Sequence, residues 1–186
     1  MKSGKFLLIL GPSGVGKSSV IERLLERDGR FVYVSPFTTR ELRPGETDKA
    51  HLSEAELEAR RDEFLCVNEL YGIKYATPKE TILTALRTGG FPVLDWPIDR
   101  LGLMQEAFPD GLFVVYLLPS TGDLLRQRLS LDARDPEHKR LQRGLEEIAS
   151  FMERAEWRSA CHLVVTVRCA SAQEIAQLVY AAYMAA

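Results

Sequence analysis

The sequence predicts an α/β fold in which a parallel sheet is flanked by helices, and three observations support this prediction. Short β-rich apolar runs recur along the 186 residues, with helical stretches between them. Such alternation is typical of a parallel sheet. A glycine-rich segment, residues 11–18, separates the first of these runs from a helical stretch, and the composition, with 46% hydrophobic and 27% charged residues, is ordinary for a globular protein. We therefore expect a single domain over residues 1–186.

The predicted elements follow from local patterns. The candidate strands of one shared sheet are Phe6–Leu10, Phe31–Val34, Pro92–Asp95, Leu112–Leu118 and His162–Val167. Three helix starts fit a capping box, namely Ser53 with Glu56, Thr77 with Glu80 and with Pro78 at the first helical position, and Ser171 with Glu174. The predicted helices lie near 53–62, 78–88 and 171–184, and a further helical pattern runs from about Lys139 to Trp157.

A segment downstream of the second candidate strand lacks this alternation. It has a turn at Pro44-Gly45, a short helix and a possible strand at Phe64–Val67. We therefore expect a small inserted lobe at about 37–75. The core of the domain then comprises 1–36 and 76–186.

A second irregular segment, at about 130–139, is polar and charged and precedes the long helical pattern. We interpret it as a mobile lid that closes over a bound substrate. A plain solvated loop is the alternative, because such loops have the same composition.

Residues 11–18 read Gly-Pro-Ser-Gly-Val-Gly-Lys-Ser, which matches the phosphate-binding pattern G-x-x-x-x-G-K-[ST] directly after a buried strand. Glycines at these positions let several backbone N–H groups converge on phosphate oxygens. In this pattern Lys17 reaches the β- and γ-phosphates and Ser18 offers its hydroxyl to Mg²⁺. The motif predicts a P-loop NTPase fold that binds ATP or GTP with Mg²⁺. The expected nucleotide-binding residues are Gly11, Ser13, Gly14, Val15, Gly16, Lys17, Ser18 and Ser19.

A second anion site is indicated by the segment Thr38–Glu46. It sets Arg40 and Arg43 three residues apart before a Pro-Gly turn, so both guanidinium groups could bind one phosphate bidentately. Tyr75 would add a hydroxyl group to the same anion site. Considered without the glycine-rich loop, the two arginines would more simply form a solvated face.

Charge and hydropathy exclude some functions. The net charge of −2 and the pI near 6.0 argue against a general nucleic-acid-binding protein, which needs a basic surface. The apolar run at Phe6 is too short for a membrane span and the N-terminus lacks signal-peptide features, so we expect a cytoplasmic protein without a membrane partner. Cys66, Cys161 and Cys169 have neither disulfide nor zinc-site spacing.

The sequence resembles the guanylate kinase family over nearly its whole length. The shared motifs are the GPSGxGKS loop, the T-T-R-x-x-R-P-G-E segment, the tyrosine of G-x-x-Y-G-[ST], the L-D of L-D-I-D, and a later K-R-L…E pattern at Lys139–Leu141 and Glu147. The resemblance implies transfer of the ATP γ-phosphate to GMP.

The resemblance also implies roles for individual residues. Arg40, Arg43 and Tyr75 stand where the family binds the acceptor phosphate, with Glu46 closing the same motif. Asp95 stands at the first aspartate of L-D-I-D. Arg128, Arg134 and Arg140 lie near the lid arginines of the family, and the best matches are Arg134 and Arg140. The implied catalytic residues are thus Lys17, Asp95, Arg134 and Arg140.

The positions that bind guanine in the family differ here. Pro36 replaces a serine, Cys66 replaces the glutamate that accepts hydrogen bonds from guanine, and Pro97 replaces the second aspartate. Thr77 keeps the expected hydroxyl group, whereas Lys49 stands near a phosphate-binding tyrosine of the family. We expect phosphate binding to be kept and the choice of base to be altered. The loss of a hydrogen-bond partner for the base changes selectivity by about 10⁴-fold.

These observations predict an ATP-dependent kinase of a nucleoside monophosphate, acting on GMP, dGMP or a nucleotide with another base. Its partners would be ATP and a phosphorylated small molecule, and the chain would be a monomer or a homodimer. One alternative is a kinase of a phosphorylated sugar, because Gly45–Ser53 loosely resembles the ribose 1,5-bisphosphate kinases. Another is a noncatalytic guanylate kinase-like interaction module, against which the intact Gly16-Lys17-Ser18 argues.

Overall fold

A five-stranded parallel sheet forms the centre of the structure, a computed structural model that describes residues 5–42, 45–46, 49–70, 72–130, 139–168 and 171–186. The strands in the described residues are β1 (Phe6–Leu10), β2 (Phe31–Tyr33), β3 (Phe37–Thr38), β4 (Ala50–His51), β5 (Phe64–Leu70), β6 (Ile73–Pro78), β7 (Phe91–Asp95), β8 (Leu112–Pro119) and β9 (Leu163–Val167). The order in the central sheet is β2-β7-β1-β8-β9, and every neighbouring pair is parallel.

Helices cover both faces of this sheet. They are α1 (Lys17–Arg27), α2 (Glu54–Ala59), α3 (Lys79–Arg87), α4 (Leu101–Ala107), α5 (Gly122–Leu129), α6 (Lys139–Glu153), α7 (Ala155–Ser159) and α8 (Ala172–Ala185). The predicted α/β fold with a parallel sheet is confirmed. Each of the five predicted core strands differs from the observed one by at most one residue at either end.

The middle strand β1 is the most buried element, and each of its residues is fully buried. Leu7 and Ile9 pack on the face that α1 and α8 cover, whereas Leu8 and Leu10 pack on the opposite face. A continuous apolar run, rather than an alternating one, is what a strand with helices on both faces requires. The burial fixes the C-terminal end of β1, where the glycine-rich loop begins.

A second sheet, with the order β4-β3-β6-β5, lies in the segment from Phe37 to Pro78. One of its faces packs with Leu52 and Leu57 into a small apolar core of its own. The capping box of Ser53 and Glu56 is confirmed at the start of α2, and that of Ser171 and Glu174 is confirmed at α8.

The capping box predicted at Thr77 is wrong. Helix α3 begins at Lys79 with Pro78 as its N-cap residue, while Thr77 lies in β6 opposite Cys66. Pairing in the second sheet therefore outweighs the local capping pattern, because Thr77 is buried there. The long helical pattern from 139 to 157 is also divided, since the extended backbone of Arg154 separates α6 from α7.

No helix in the described ranges combines the length and the apolar character that a membrane crossing requires.

Asp28 joins the end of α1 to α8. Its carboxylate accepts hydrogen bonds from the Arg30 guanidinium group, at 2.7 Å for the shortest contact, and from the hydroxyl of Tyr180 at 3.1 Å. The Arg30 contact is the main reason that the pKa of Asp28 is lowered to about 2. The ionised carboxylate therefore stabilises the folded state.

We predict that Asp28→Asn lowers the free energy of unfolding by about 1 kcal/mol at pH 7, since half of the Arg30 side chain is exposed and solvent screens the pair. The folded pKa lies below the ordinary value of 3.8, so the contribution is complete above that pH. It disappears as the pH falls towards 2. Urea unfolding of both proteins at pH 7, 4 and 3 measures the difference. Asp110→Asn, on an exposed turn, is the control, and a difference that persists unchanged at pH 3 contradicts the assignment.

Candidate active site

The phosphate-binding loop joins β1 to α1 in a conformation that depends on glycine. Gly11 has a φ of 133°, and a Cβ atom there would lie 2.6 Å from the carbonyl oxygen of Leu117. Gly16 precedes α1 with a φ of 110°, in the left-handed region that favours glycine. No side chain in the described residues caps this end of α1. The N–H groups of its first turn can therefore bind an anion.

The ammonium group of Lys17 lies over this loop. It donates hydrogen bonds to the carbonyl oxygens of Gly11, at 2.6 Å, and Pro12, at 3.1 Å. Burial lowers the pKa of Lys17, whereas the carboxylates of Asp95 and Glu147 act in the opposite direction and favour the charged ammonium. Lys17 is thus a sheltered cation with oxygen atoms around it, ready to exchange a carbonyl contact for a phosphate oxygen.

Tyr116, which is fully buried, and Glu147, which is partly buried, form a hydrogen-bonded pair. The K-R-L…E pattern includes Glu147 without giving it a role, and the sequence did not indicate Tyr116. The Tyr116 hydroxyl, from β8, donates to Oε1 of Glu147, from α6, at 3.2 Å. The Tyr116 ring stacks on Phe151 with a centroid distance of 3.7 Å. Burial raises the pKa of the Glu147 carboxyl group, and the charge of Lys17 opposes that shift. The position of Glu147 one helical turn before the buried Phe151 was the signal that could have identified it.

Asp95 lies at the C-terminal end of β7, beside the end of β1, with Ile9 as its register partner. The hydroxyl of Tyr33 donates to Oδ1 of Asp95 at 3.1 Å. The carboxyl ends of neighbouring parallel strands meet at one edge of a sheet, which is why Asp95 lies close enough to affect the pKa of Lys17. Tyr33 is a further site residue that the sequence did not indicate.

Two other helices contact the loop directly. Arg128 of α5 donates from Nη1 to the carbonyl oxygens of Val15, at 2.8 Å, and Gly14, at 3.3 Å. A Cβ atom at Gly144 of α6 would lie 3.4 Å from Cβ of Pro12, so α6 packs closely on the loop. These contacts hold the loop against α5 and α6.

Only some of the predicted lid residues lie in the part of the chain that the structure describes. Arg140 lies in the first turn of α6, and its positive charge contributes to the lowered pKa of Lys17. Arg134 and most of the predicted lid, residues 131–138, lie outside the described residues, as does Arg43. Ser13, Ser18 and Ser19 lie along the loop and the start of α1, with Ser18 and Ser19 exposed.

Two residues after the end of β3, Arg40 forms a bidentate ion pair with Glu46. Its Nη1 and Nη2 donate to the two carboxylate oxygens at 2.8 and 2.5 Å, and Nη1 also donates to the carbonyl oxygen of Glu41. Arg40 is in addition hydrogen-bonded to the Tyr75 hydroxyl. The structure therefore joins Arg40, Glu46 and Tyr75, three of the predicted acceptor-site residues, in one cluster.

The face of the second sheet that carries Tyr75 is polar, although three of its residues, Thr38, Asn68 and Thr77, are buried and Tyr75 and Cys66 are half-buried. Thr38 and Asn68 are the register partners of Tyr75, and Cys66 is the partner of Thr77. The Cys66 thiol is hydrogen-bonded to Thr77, and burial raises the pKa of that thiol. A register shift in β5 lies between Phe64 and Cys66, and such irregularities are frequent beside binding sites. The other face of the sheet holds the small apolar core described above.

The oxygen donors near the loop fit a magnesium ion. Mg²⁺ takes one or two protein oxygens and completes its octahedron with water and substrate phosphates. The exposed hydroxyl of Ser18 and the carboxylate of Asp95, at the neighbouring strand end, are donors of this hard type. No cluster of three or more His, Cys, Asp or Glu residues among the described residues suggests a dedicated metal cage, which Mg²⁺ does not need.

A cavity of about 870 Å³ lies beside the second sheet and α3. Its lining includes Tyr33 and Phe37, together with Arg60, Lys79 and Glu80, but no residue of the phosphate-binding loop. Two of its lining residues contact the groups described above: the Tyr33 hydroxyl donates to Asp95, and Nζ of Lys49 lies 3.9 Å from Glu46. The cavity therefore adjoins the site without enclosing the phosphate-binding loop.

Comparison with known proteins agrees with this geometry. The family model for guanylate kinase matches residues 3–165. A guanylate kinase of Carboxydothermus hydrogenoformans is 34% identical over 158 residues, which covers 81% of this chain and 77% of that protein. The chain belongs to the guanylate kinase family. It is thus an enzyme of the guanylate kinase type, as its sequence predicted.

Solved structures resemble the fold of this guanylate kinase family member. A guanylate kinase from Anaplasma phagocytophilum superimposes with a TM-score of 0.76 at 21% identity, over 98% of this chain and 86% of the other. A shikimate kinase from Acinetobacter baumannii in complex with shikimate gives a TM-score of 0.56 at 18% identity, over 99% and 95% of the two chains. The predicted P-loop kinase fold is confirmed by these likenesses.

We predict that Glu147→Gln makes ATP binding more sensitive to high pH. Without this carboxylate the pKa of Lys17 falls further, so the ammonium loses its proton at a lower pH. The ratio of the ATP dissociation constants at pH 9.5 and pH 7 should rise by about threefold to tenfold over wild type, as expected for a partly screened charge pair. Isothermal titration calorimetry with ATP at both pH values measures this ratio.

Glu146→Gln is the matched control, because Glu146 is the exposed neighbour on the same helix and bonds only to Gln142 in the described structure. Its ratio should equal that of wild type. The same ratio in Glu147→Gln and Glu146→Gln would show that Glu147 does not influence the charge of Lys17.

Proposed function

We propose that this chain transfers the γ-phosphoryl group of ATP to the phosphate of a nucleoside monophosphate, with GMP and dGMP among the acceptors and with a relaxed choice of base. The observation that carries this proposal is the presence of two separate anion-binding sets. One is the loop with Lys17, and the other is the pair of Arg40, which follows β3, and Tyr75 of β6. A kinase that acts on a monophosphate needs one set for each substrate.

The proposed reaction is a direct in-line transfer. An oxygen of the acceptor phosphate forms a bond to the γ-phosphorus, the bond from that phosphorus to the β–γ bridging oxygen breaks, and ADP leaves. Lys17 and the first-turn N–H groups of α1 bind the donor phosphates, and Arg140 and Arg134 neutralise the charge that develops during transfer. No covalent enzyme intermediate is required.

Ser18 and Asp95 are the residues that we expect to hold Mg²⁺ or its water ligands. The ion, when bound with ATP, screens the charge of the donor phosphates. Asp95 has a second role in this proposal, because its carboxylate favours the charged form of Lys17. We propose a cytoplasmic location, where ATP and nucleoside monophosphates are available.

Arg40 and Arg43 bind the acceptor phosphate in this proposal. Glu46 acts through Arg40, because its carboxylate holds both terminal nitrogens of the guanidinium group. A phosphate that binds Arg40 must share or displace that contact. Glu46 is therefore a positioning residue that keeps Arg40 extended beside Tyr75.

The base side of the acceptor site supports a relaxed choice. Guanine presents adjacent N–H donors that a carboxylate would accept, but the register partner of Thr77 is Cys66, a half-buried thiol with a raised pKa. A neutral thiol is a weak acceptor. Discrimination for guanine should therefore be small in the wild-type protein.

A kinase of a phosphorylated sugar is the second candidate, because the missing carboxylate also suits an acceptor without a base. Ribose 1,5-bisphosphate is its test substrate. The match of the whole phosphate-binding segment to guanylate kinases favours the nucleotide.

An acceptor screen tests the proposal. ADP release from ATP and Mg²⁺ should rise well above the ATP-only blank with at least one nucleoside monophosphate, and Lys17→Ala should lower that turnover by about 10³-fold or more, the scale of losing a charged group on the transferred phosphoryl. The panel is GMP, dGMP, AMP, CMP, UMP, dTMP and ribose 1,5-bisphosphate. Turnover with the sugar alone would select the second candidate. Tight ATP binding without any turnover would reject both, and negligible ATP binding by wild type and Lys17→Ala alike would indicate an interaction module.

We also predict that Cys66→Glu introduces a preference for guanine. The new carboxylate can accept from the N1–H and 2-amino groups, which adenine lacks, so the ratio of kcat/KM for GMP over AMP should rise by about tenfold or more. Steady-state kinetics with both nucleotides measures the ratio. Cys66→Gln, of the same size without the charge, is the control and should give a smaller change. An unchanged ratio in a folded Cys66→Glu protein would mean that Cys66 does not face the base.

A further inference from the structure

We infer that Asn68 is a ligand of the acceptor nucleoside, whose side-chain carbonyl oxygen accepts a hydrogen bond from an N–H or O–H group of the bound monophosphate. This inference rests on the proposed function, because it assigns a specificity residue to the same acceptor site. It goes beyond the family motifs, since none of the motifs that relate this sequence to guanylate kinases includes residue 68.

The first argument is the unsatisfied oxygen of Asn68. The residue is only 9% exposed, and its Oδ1 atom has no hydrogen-bond partner in the described residues. Buried polar atoms of folded proteins nearly always have a partner, and an unpaired one lowers stability. A bound molecule that donates a hydrogen bond to this oxygen would explain why it is left unpaired within the protein.

The second argument is the position of Asn68 in its strand. It lies within β5, in register with Tyr75 of β6, and asparagine is disfavoured in the interior of strands. A leucine would satisfy the burial, leave no polar atom unpaired and suit a strand better. Neither local structure nor packing therefore accounts for the amide.

The third argument concerns the side chains that share a face of the sheet with Asn68. Side chains of register partners share a face, so Asn68 lies beside Tyr75, and Thr38 lies on the other side of Tyr75. Arg40 is hydrogen-bonded to Tyr75, but its Nε atom is buried and has no hydrogen-bond partner in the described residues. Two unpaired polar atoms, one donor and one acceptor, thus occur in one cluster.

The order along the strands assigns these atoms to parts of one ligand. In the proposed function, Arg40 and Tyr75 form the phosphate end of the acceptor site. The pair of Cys66 and Thr77, two residues away from Asn68 and Tyr75 on the same face, forms the base end. Asn68 lies with Tyr75 at the start of the path between them. Its oxygen therefore meets the sugar or the near edge of the base, which both offer O–H or N–H donors.

Charge explains why an amide suits this position. A carboxylate here would accept the same hydrogen bond, but it would repel the acceptor phosphate held by Arg40. An amide oxygen accepts without carrying charge. Asn68 can therefore contribute selectivity without weakening phosphate binding.

Steady-state kinetics of Asn68→Leu test this inference. We expect the KM for GMP to rise by about tenfold, while the KM for ATP stays within twofold of wild type. The melting temperature should stay equal or rise, because the substitution removes an unpaired buried oxygen. Asn68→Ser, which keeps a smaller acceptor oxygen, should give an intermediate KM. Glu69→Gln, at the exposed neighbouring position of β5, is the matched control and should match wild type.

A comparison of the KM values for GMP and dGMP identifies which group of the nucleotide donates a hydrogen bond to Asn68. A rise in KM for GMP alone assigns the 2′-hydroxyl group, and an equal rise for both assigns the base or the 3′-hydroxyl group. If the acceptor screen ranks another base higher, the ribonucleotide and deoxyribonucleotide of that base are used instead.

Two outcomes overturn the inference. An unchanged KM for both nucleotides in a folded, active Asn68→Leu protein rejects Asn68 as a ligand while leaving the proposed function intact. A large fall in melting temperature, with KM for the acceptor unchanged in Asn68→Ser, assigns Asn68 to structure alone. Absence of wild-type turnover with every monophosphate instead rejects the proposed function, and the inference with it.

Discussion

The sheltered positive charge of Lys17 is the interaction on which the rest of the site depends. A charged ammonium away from water is unfavourable unless oxygen atoms surround it. Here the carbonyl groups of Gly11 and Pro12 supply direct contacts, and the carboxylates of Asp95 and Glu147 supply opposite charge. The loop, the end of β7 and helix α6 must therefore be held together for the lysine to stay charged.

The central sheet provides that arrangement. Strand β1 lies between β7 and β8 and is buried on both faces, so its end is fixed in position relative to both neighbours. Asp95 comes from one neighbour, and Tyr116, which holds Glu147, comes from the other. Parallel strands bring these residues together from distant parts of the chain, because all their carboxyl ends point to the same edge.

The second sheet has two faces of unlike character. One face is apolar and gives the sheet a core of its own with Leu52 and Leu57. The opposite face buries Thr38, Asn68 and Thr77, an arrangement that costs stability unless the polar groups have partners. Beside this face, the bidentate pair of Arg40 and Glu46 supplies such partners for a guanidinium group and a carboxylate.

The sequence by itself determined the strand pattern, the phosphate-binding loop and the family. Each of these depends on residues close together in the chain: the apolar run of β1, the glycines that permit the loop and the two confirmed capping boxes need no distant partner. The tertiary structure alone decided where Thr77 lies, which groups surround Lys17 and which polar atoms are left unpaired. Tyr116 and Asn68 carry no local motif, and the pattern that includes Glu147 does not state its role, because burial, pairing and charge at these positions are set by residues that only folding brings within a few ångströms.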